Sequence, residues 1–399
     1  MSLFAFEGGA AEAAAKAGTP CFAYRLDLAE RGFRRLRSAL PGRVRLAYAV
    51  KANPHPGLVG RFASLGASLD CASGGELELA AALGLPGARL LFAGPGKARA
   101  ELELALALGA RIEVDGIEDI ERIDAILAEW PERSPKGGPL PVSVRVHPAP
   151  ETAGGFAEAS AIIGGTAPSA FGVDEEKLGD FIDAAASFPR VAIRGLQVFA
   201  SSNERGAEKL LASHRAALSI ARRLEGLTGV PLDLVDLGGG LGIPYAAGQA
   251  ELDVEALGRG LGGVLADAPW FRGELLLEPG RWLSGPCGVY LARVIRVKES
   301  RGKRFAILEG GINHLLRPLL TGEPFPVAAV GKSGPPHPQI LAGPLCSSLD
   351  RLGEVELPEL EAGDLLVFGQ AGAYGFTEAM THFLGHAPAA ERLFERPPA

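Results

Sequence analysis

Three stretches place ionisable side chains at the ends of apolar runs. In "VRLAYAVKANP", from Val44 to Pro54, one lysine, Lys51, follows a run that reads as a buried strand. An ammonium is costly to bury without a partner, so Lys51 either escapes at the strand's end or is held there for chemistry. Partly desolvated near the mouth of a barrel, it is expected to have a depressed pKa and to attack a carbonyl. The plainer alternative is a lysine that snorkels to water. "DLGGGLG", Asp236 to Gly242, sets three glycines after an apolar strand. Backbone N–H groups could then approach an anion closely, and a following helix N-terminus would favour phosphate. Glycine clusters also simply make tight turns. "LEPGRW", Leu277 to Trp282, puts Glu278 and Arg281 three residues apart. Glu278 could hold a protonated ring nitrogen and Arg281 a phosphate or carboxylate, or the two could be a local ion pair.

These stretches need a scaffold that gathers strand ends. Eight apolar runs alternate with helical patterns between residue 44 and about 280. They are "VRLAYAVK", "GASLDCAS", "RLLFAGPG", "RIEVDG", "PVSVRVHP", "IRGLQVFA", "LDLVDLGGG" and "ELLLEPGR". Runs this apolar suit a parallel sheet covered on both faces. The pattern predicts a (β/α)8 TIM barrel over residues 28–285, an α/β class fold, with the motifs at the C-terminal strand ends. An open doubly wound sheet is the alternative. Beyond residue 286, "CGVYLARVIRVKES", "KRFAILEGG" and "GDLLVFGQAGAYG" alternate and are joined by short turns. They predict an antiparallel β domain of residues 1–27 and 286–399, with "PCFAYRLD" as its N-terminal strand.

Composition narrows the partners. The chain has 399 residues, is 47% hydrophobic and carries a formal charge of −7, which argues against nucleic acid or an anionic membrane as partner. No run is long and apolar enough for a membrane span, and the N-terminus lacks the pattern of a signal peptide. Cys21, Cys71, Cys287 and Cys346 lie far apart, which suggests neither a zinc site nor a disulfide framework. A cytoplasmic protein with free thiols and no metal is expected. "PERSPKGGPLP", Pro131 to Pro141, reads as an irregular loop.

An amine, an anion site and a buried carboxylate are together what pyridoxal 5'-phosphate requires. The sequence resembles the fold-type III pyridoxal-phosphate decarboxylases, which include the diaminopimelate and ornithine decarboxylases. The resemblance runs in order through "YAVKAN", "DCASGGEL", "VRVHP", "AFGV", "GLQVFASSN", "DLGGGLG", "EPGR", "NHLLRPLL", "GPLCSSLD" and "AGAYG". It implies that Lys51 links covalently to the cofactor aldehyde and that Glu278 pairs with the pyridine nitrogen. It places Ser202, Gly240, Arg281 and Tyr374 around the phosphate, with Gly239, Gly280, Asp70 and Glu76 also near the cofactor. Cys346 matches the residue that returns a proton after carbon dioxide leaves, and Asp350 is a pocket candidate. The family also implies a homodimer with shared active sites, since Cys346 and its neighbours reach across the interface.

Departures from the pattern bear on the substrate. Phe199 stands where a histidine usually stacks on the cofactor ring, Gln197 replaces a second histidine, and Ser201 replaces a glycine. A phenyl ring can stack but cannot donate a hydrogen bond. The residue after the family's cysteine is an acid that grips a distal amine; here it is Ser347, so a distal ammonium loses a partner unless Asp350 substitutes. Arg317 matches a residue that helps bind a distal carboxylate, and Thr321 stands where tyrosine is usual. These features, with the ending "FLGHAPAAE", point to α-decarboxylation of an amino acid carried as a conjugate or on an acyl-carrier protein. Diaminopimelate decarboxylation, a racemase of the same barrel family and a non-catalytic regulator are the alternatives.

Overall fold

The computed structural model describes residues 2–136, 138–153, 168–199 and 201–398. Gly137 of the loop noted above and Ala200 of "GLQVFASSN" lie outside them. The first strand, β1 (Cys21–Arg25), precedes the barrel. The barrel strands follow as β2 (Val44–Ala49), β3 (Ser68–Cys71), β4 (Leu90–Phe92), β5 (Arg111–Val114) and β6 (Leu140–His147). A two-residue strand, β7 (Val173–Asp174), is added beside β6; then come β8 (Val191–Val198), β9 (Leu234–Asp236) and β10 (Glu274–Leu277). All pair in parallel in the order β5-β4-β3-β2-β10-β9-β8-β6, and β5 also pairs with β6, which closes the ring. Each of the eight predicted runs supplies one barrel strand.

Continuous burial explains why these runs are strands. β3, β4 and β9 are buried at every position, and β2 at all but Arg45. Helices cover the outer face. The helix Leu26–Ala39 packs against the helices Pro56–Ser64 and Val254–Asp267, and the latter against Ala207–Thr228.

The second sheet uses β11 (Gly288–Ser300), β12 (Lys303–Leu308), β13 (Val327–Ala329), β14 (His337–Ala342), β15 (Arg351–Leu357), β16 (Leu365–Phe368) and β17 (Ala390–Phe394). β1 joins it, antiparallel to β11. The sheet is mixed rather than purely antiparallel: β1 runs parallel to β17, and β12 parallel to β14. Both neighbours are distant in sequence, so no hairpin dictates their direction. A separate small core under this sheet joins Phe6, Ala11 and Ala15 of the N-terminal segment to Val289, Leu291 and Val367. The expected irregular loop is partly ordered: Pro131–Arg133 forms a helical turn, and β6 starts at Leu140. Among the described residues, no helix is long and apolar enough to cross a membrane.

Candidate active site

The barrel sets its chemistry at the C-terminal strand ends. Lys51 lies in the helical turn Val50–Ala52 that ends β2, and Asp70 is the third residue of β3. The register pairs Ala49 with Asp70. Lys51 Nζ donates to Asp70 Oδ2 at 3.0 Å, and the Asp70 side chain is fully buried. The second Asp70 oxygen has no partner among the described residues. Burial pulls the Lys51 pKa down, but Asp70, Glu278 and Tyr374 outweigh it and hold the ammonium above its ordinary value. The expected depression is therefore reversed: acids crowd around this lysine, and their attraction exceeds the desolvation cost.

Those acids are themselves crowded. Glu113, Asp236 and Glu278, all buried, each bring an oxygen within 4.8 Å of the others. Both Glu113 oxygens and Asp236 Oδ2 lack a hydrogen-bond partner among the described residues. Burial, then the neighbouring acids, drives Glu113 and Asp236 well above the usual carboxylate range. Burial and Asp70 push Glu278 up to about 7 against the pull of Lys51. Three carboxyls this close do not all ionise, so the group holds protons at neutral pH. Glu76, third residue of the Ser73-capped helix Gly74–Ala82, accepts from the Ala72 N–H and is pushed by burial up to about 7.

A cavity of about 330 Å³ opens above this floor. Lys51, Phe199, Ser202, Gly239, Gly240, Glu278, Gly280, Arg281, Arg317, Thr321 and Tyr374 line it, so the structure brings together most of the predicted set. Gly240 is in the left-handed region at φ +88°, and a Cβ there would lie 2.5 Å from the Ser201 carbonyl oxygen. At Gly239 a Cβ would meet the Glu278 carbonyl at 2.7 Å. Only glycines fit this turn, and their bare backbone lines the cavity. Arg281 Nη1 donates to the Tyr245 hydroxyl at 2.7 Å, and its guanidinium lies 4.6 Å from the Tyr374 ring centroid.

The β domain closes the mouth through "AGAYG". The Tyr374 N–H donates to the Ala52 carbonyl at 2.9 Å, and Asn53 Nδ2 donates to the Gly372 carbonyl at 2.9 Å. These bonds tie the segment to the turn that carries Lys51. Tyr374 takes φ +54°, unusual for a non-glycine residue and consistent with a held functional position.

Three predicted residues lie elsewhere. Cys346 is exposed, and neither it nor Ser347 lines the cavity of its own chain. Asp350 is buried but is not a pocket residue. Its Oδ1 accepts from Ile312 N–H at 2.8 Å and its Oδ2 from Leu345 N–H at 2.7 Å. Each oxygen already accepts a backbone N–H, so the carboxylate pins two loops together away from the cavity of its own chain.

Sequence reasoning missed Glu113, Tyr245, Glu323 and Glu378. Glu113 had a signal: a glutamate amid the apolar residues of "RIEVDG" is as odd as Lys51 in its own run. Glu323 and Glu378 lie on connecting segments, where charge is ordinary.

The arrangement offers an amine for a carbonyl, a buried carboxyl able to share a proton with a heterocycle nitrogen, and a glycine turn for an anion. The unpartnered carboxyl oxygens and the glycine turn fit pyridoxal phosphate. Comparison with known proteins agrees. Residues 26–285 match the family model described as pyridoxal-dependent decarboxylase, pyridoxal binding domain. An L-glutamyl-[BtrI acyl-carrier protein] decarboxylase from Niallia circulans is 30% identical over 94% of this chain and 88% of its own length. A diaminopimelate decarboxylase from Zymomonas mobilis is 32% identical over 93% of this chain and 86% of its own. The structure of Helicobacter pylori diaminopimelate decarboxylase with L-lysine superposes with a TM-score of 0.85 at 26% identity, covering 96% and 93% of the two chains. By these matches the chain belongs to the pyridoxal-dependent decarboxylases and acts on an amino acid.

Proposed function

We propose that the enzyme removes the α-carboxylate of an amino acid carried as a conjugate, in the cytoplasm and as a homodimer. The observation that carries the substrate reading lies in "GPLCSSLD". Ser347 is neutral, and Asp350 is buried, holds two backbone N–H groups and lies off the cavity, so this stretch presents no acid there to a free distal ammonium. The Niallia circulans relative, named for a carrier-bound glutamyl substrate, supports the same reading. A second reading, diaminopimelate decarboxylation, is favoured by buried Arg317 and by relatives of that name at 31–33% identity.

When bound, pyridoxal phosphate supplies an aldehyde for amines and a protonated ring that accepts the electron pair left behind by carbon dioxide. The chain's own residues do the rest. Gly239, Gly240, Ser202, Arg281 and Tyr374 would hold the phosphate, Glu278 the ring nitrogen, and Phe199 would stack on the ring. Lys51 Nζ is the linking amine. It is cationic in this acidic setting, and it donates to Asp70 Oδ2, 3.0 Å away, which holds it in place. Glu278 in its ionised form keeps the ring nitrogen protonated, and its acidic neighbours hold the remaining protons. The β-domain segment bearing Tyr374 excludes water from the mouth. Arg317 and Thr321 contribute to the substrate wall, with Ser347 at the interface. Cys346 returns a proton at the substrate carbon, serving the site of a second copy. Exposed Leu319, Leu320 and Leu349 support such an interface.

The test is carbon dioxide release by cofactor-loaded protein from free glutamate, ornithine, lysine, arginine and meso-diaminopimelate, and from thioester and amide conjugates. Release from a conjugate, with little from the free diamino acids, is expected. Efficient turnover of free diaminopimelate contradicts the substrate reading.

A further inference from the structure

Two unmet polar groups share the cavity. Arg317 is buried at the start of the short helix Arg317–Thr321, with only 4% of its surface exposed. Its Nη2 reaches Glu323 Oε2 at 3.3 Å, and its guanidinium carbon lies 5.0 Å from the Tyr245 ring centroid. Its Nε and Nη1 have no partner among the described residues. Glu378, four residues beyond Tyr374, lines the same cavity, and its buried Oε2 also lacks a partner. Burial holds its carboxyl above the usual range, against the pull of Arg317 and Arg281. Buried donors and acceptors left unpaired are costly, so a site carrying both is built for a ligand that meets both.

We propose that Glu378 is a specificity-determining residue that accepts an N–H from the far end of the substrate while Arg317 donates to an oxygen beside it. The far end therefore joins an N–H donor and a carbonyl or carboxylate oxygen at one carbon or its neighbour. Two sources have that chemistry: the amide of a conjugated side-chain carboxyl, and the second amino-acid end of a diamino diacid. A lone carboxylate leaves Glu378 unmet and adds a like charge beside it. A lone ammonium leaves Arg317 unmet. Residues of "GPLCSSLD" are not needed, which accounts for a neutral residue at Ser347.

The inference rests on the decarboxylase reading, and amine products test it without turnover. Calorimetry on cofactor-loaded protein would compare 4-aminobutanamide, L-lysine, 4-aminobutanoate and 1,4-diaminobutane, on wild type and on Glu378→Gln. The amide or lysine should bind about 10- to 100-fold more tightly than the other two, and Glu378→Gln should remove most of that preference. The cofactor absorption band, retained in the variant, reports an intact fold; Glu378→Asp, which keeps the charge on a shorter arm, serves if the glutamine variant does not load. Tightest binding of the amide upholds both the inference and the conjugate substrate. Tightest binding of lysine, lost in the variant, upholds the inference and overturns the conjugate. If 4-aminobutanoate or 1,4-diaminobutane binds as tightly as the better of the first pair, or if the variant keeps the wild-type order, the inference is wrong while the decarboxylase reading stands.

Discussion

Both ends of the barrel carry charged side chains and treat them in opposite ways. The N-terminal end has the roomier hollow, about 680 Å³ against about 330 Å³ at the C-terminal end. Four of its charged side chains form two ion pairs, and Arg133 donates to the Glu103 carbonyl. Arg45 meets Glu274 at 2.6 Å, and Arg111 meets Asp233 at 2.8 Å while also donating to the Ser143 hydroxyl and the Val142 carbonyl. At the C-terminal end, Glu113, Asp236 and Glu278 crowd together, and oxygens of Asp70, Glu113, Asp236 and Glu378 have no partner among the described residues. Room alone does not mark chemistry. Charge that the fold leaves unmet does, because a ligand can repay its cost.

The largest expected effect breaks that contrast at its centre. Lys51→Ala should abolish the cofactor's absorption near the visible edge of the ultraviolet and lower decarboxylation by at least about 10³-fold, read by spectrum and steady-state rate. Glu278→Gln should keep the absorption band and lose roughly 10²- to 10³-fold in kcat, because a neutral amide cannot hold the ring nitrogen's charge. Gly240→Ala meets both the φ of +88° and the Ser201 carbonyl. It should cost about 1–3 kcal/mol and weaken cofactor binding, measured by titration of the apoprotein.

A pH dependence sharpens the comparison. Glu278 and Glu76 rise on folding from 4.5 to about 7, so the folded state binds protons more tightly than the unfolded state. The stability they lend is fully present below pH 4.5 and is lost as pH climbs towards about 7. Denaturant midpoints of the cofactor-free protein should show this fall, and Glu278→Gln should flatten it. The smallest effect belongs to the other end. Glu274→Gln removes half of a solvent-exposed pair and should change stability by about 1 kcal/mol or less, leaving the cofactor band untouched.

The sequence made the barrel legible because each strand lies in a short, mostly apolar run, a signature that survives without knowledge of contacts. Part of the site's floor was legible for the same reason: Lys51 and Glu278 are ionisable residues at the ends of such runs, whereas Asp70 was implied only by the family resemblance. The β domain was less so. β14, β15 and β17 pair with partners far away in sequence or alternate with exposed charges, as in "RLGEVEL". The Lys51 pKa was misjudged because burial could be read from its run, whereas the acids around it come from β3 and β10. Asp350 looked like a ligand because its motif carries chemistry; only the fold reveals that its oxygens hold the Ile312 and Leu345 N–H groups.

The most direct test of the central claim is covalent. Cofactor-loaded protein would be reduced with borohydride, digested and mapped by mass spectrometry. A pyridoxyl group is expected on Lys51 at near-unit occupancy, and none on Lys97, which is buried and paired with Asp115 and Asp119. A label on another lysine, or no label on protein shown to hold the cofactor, would contradict it.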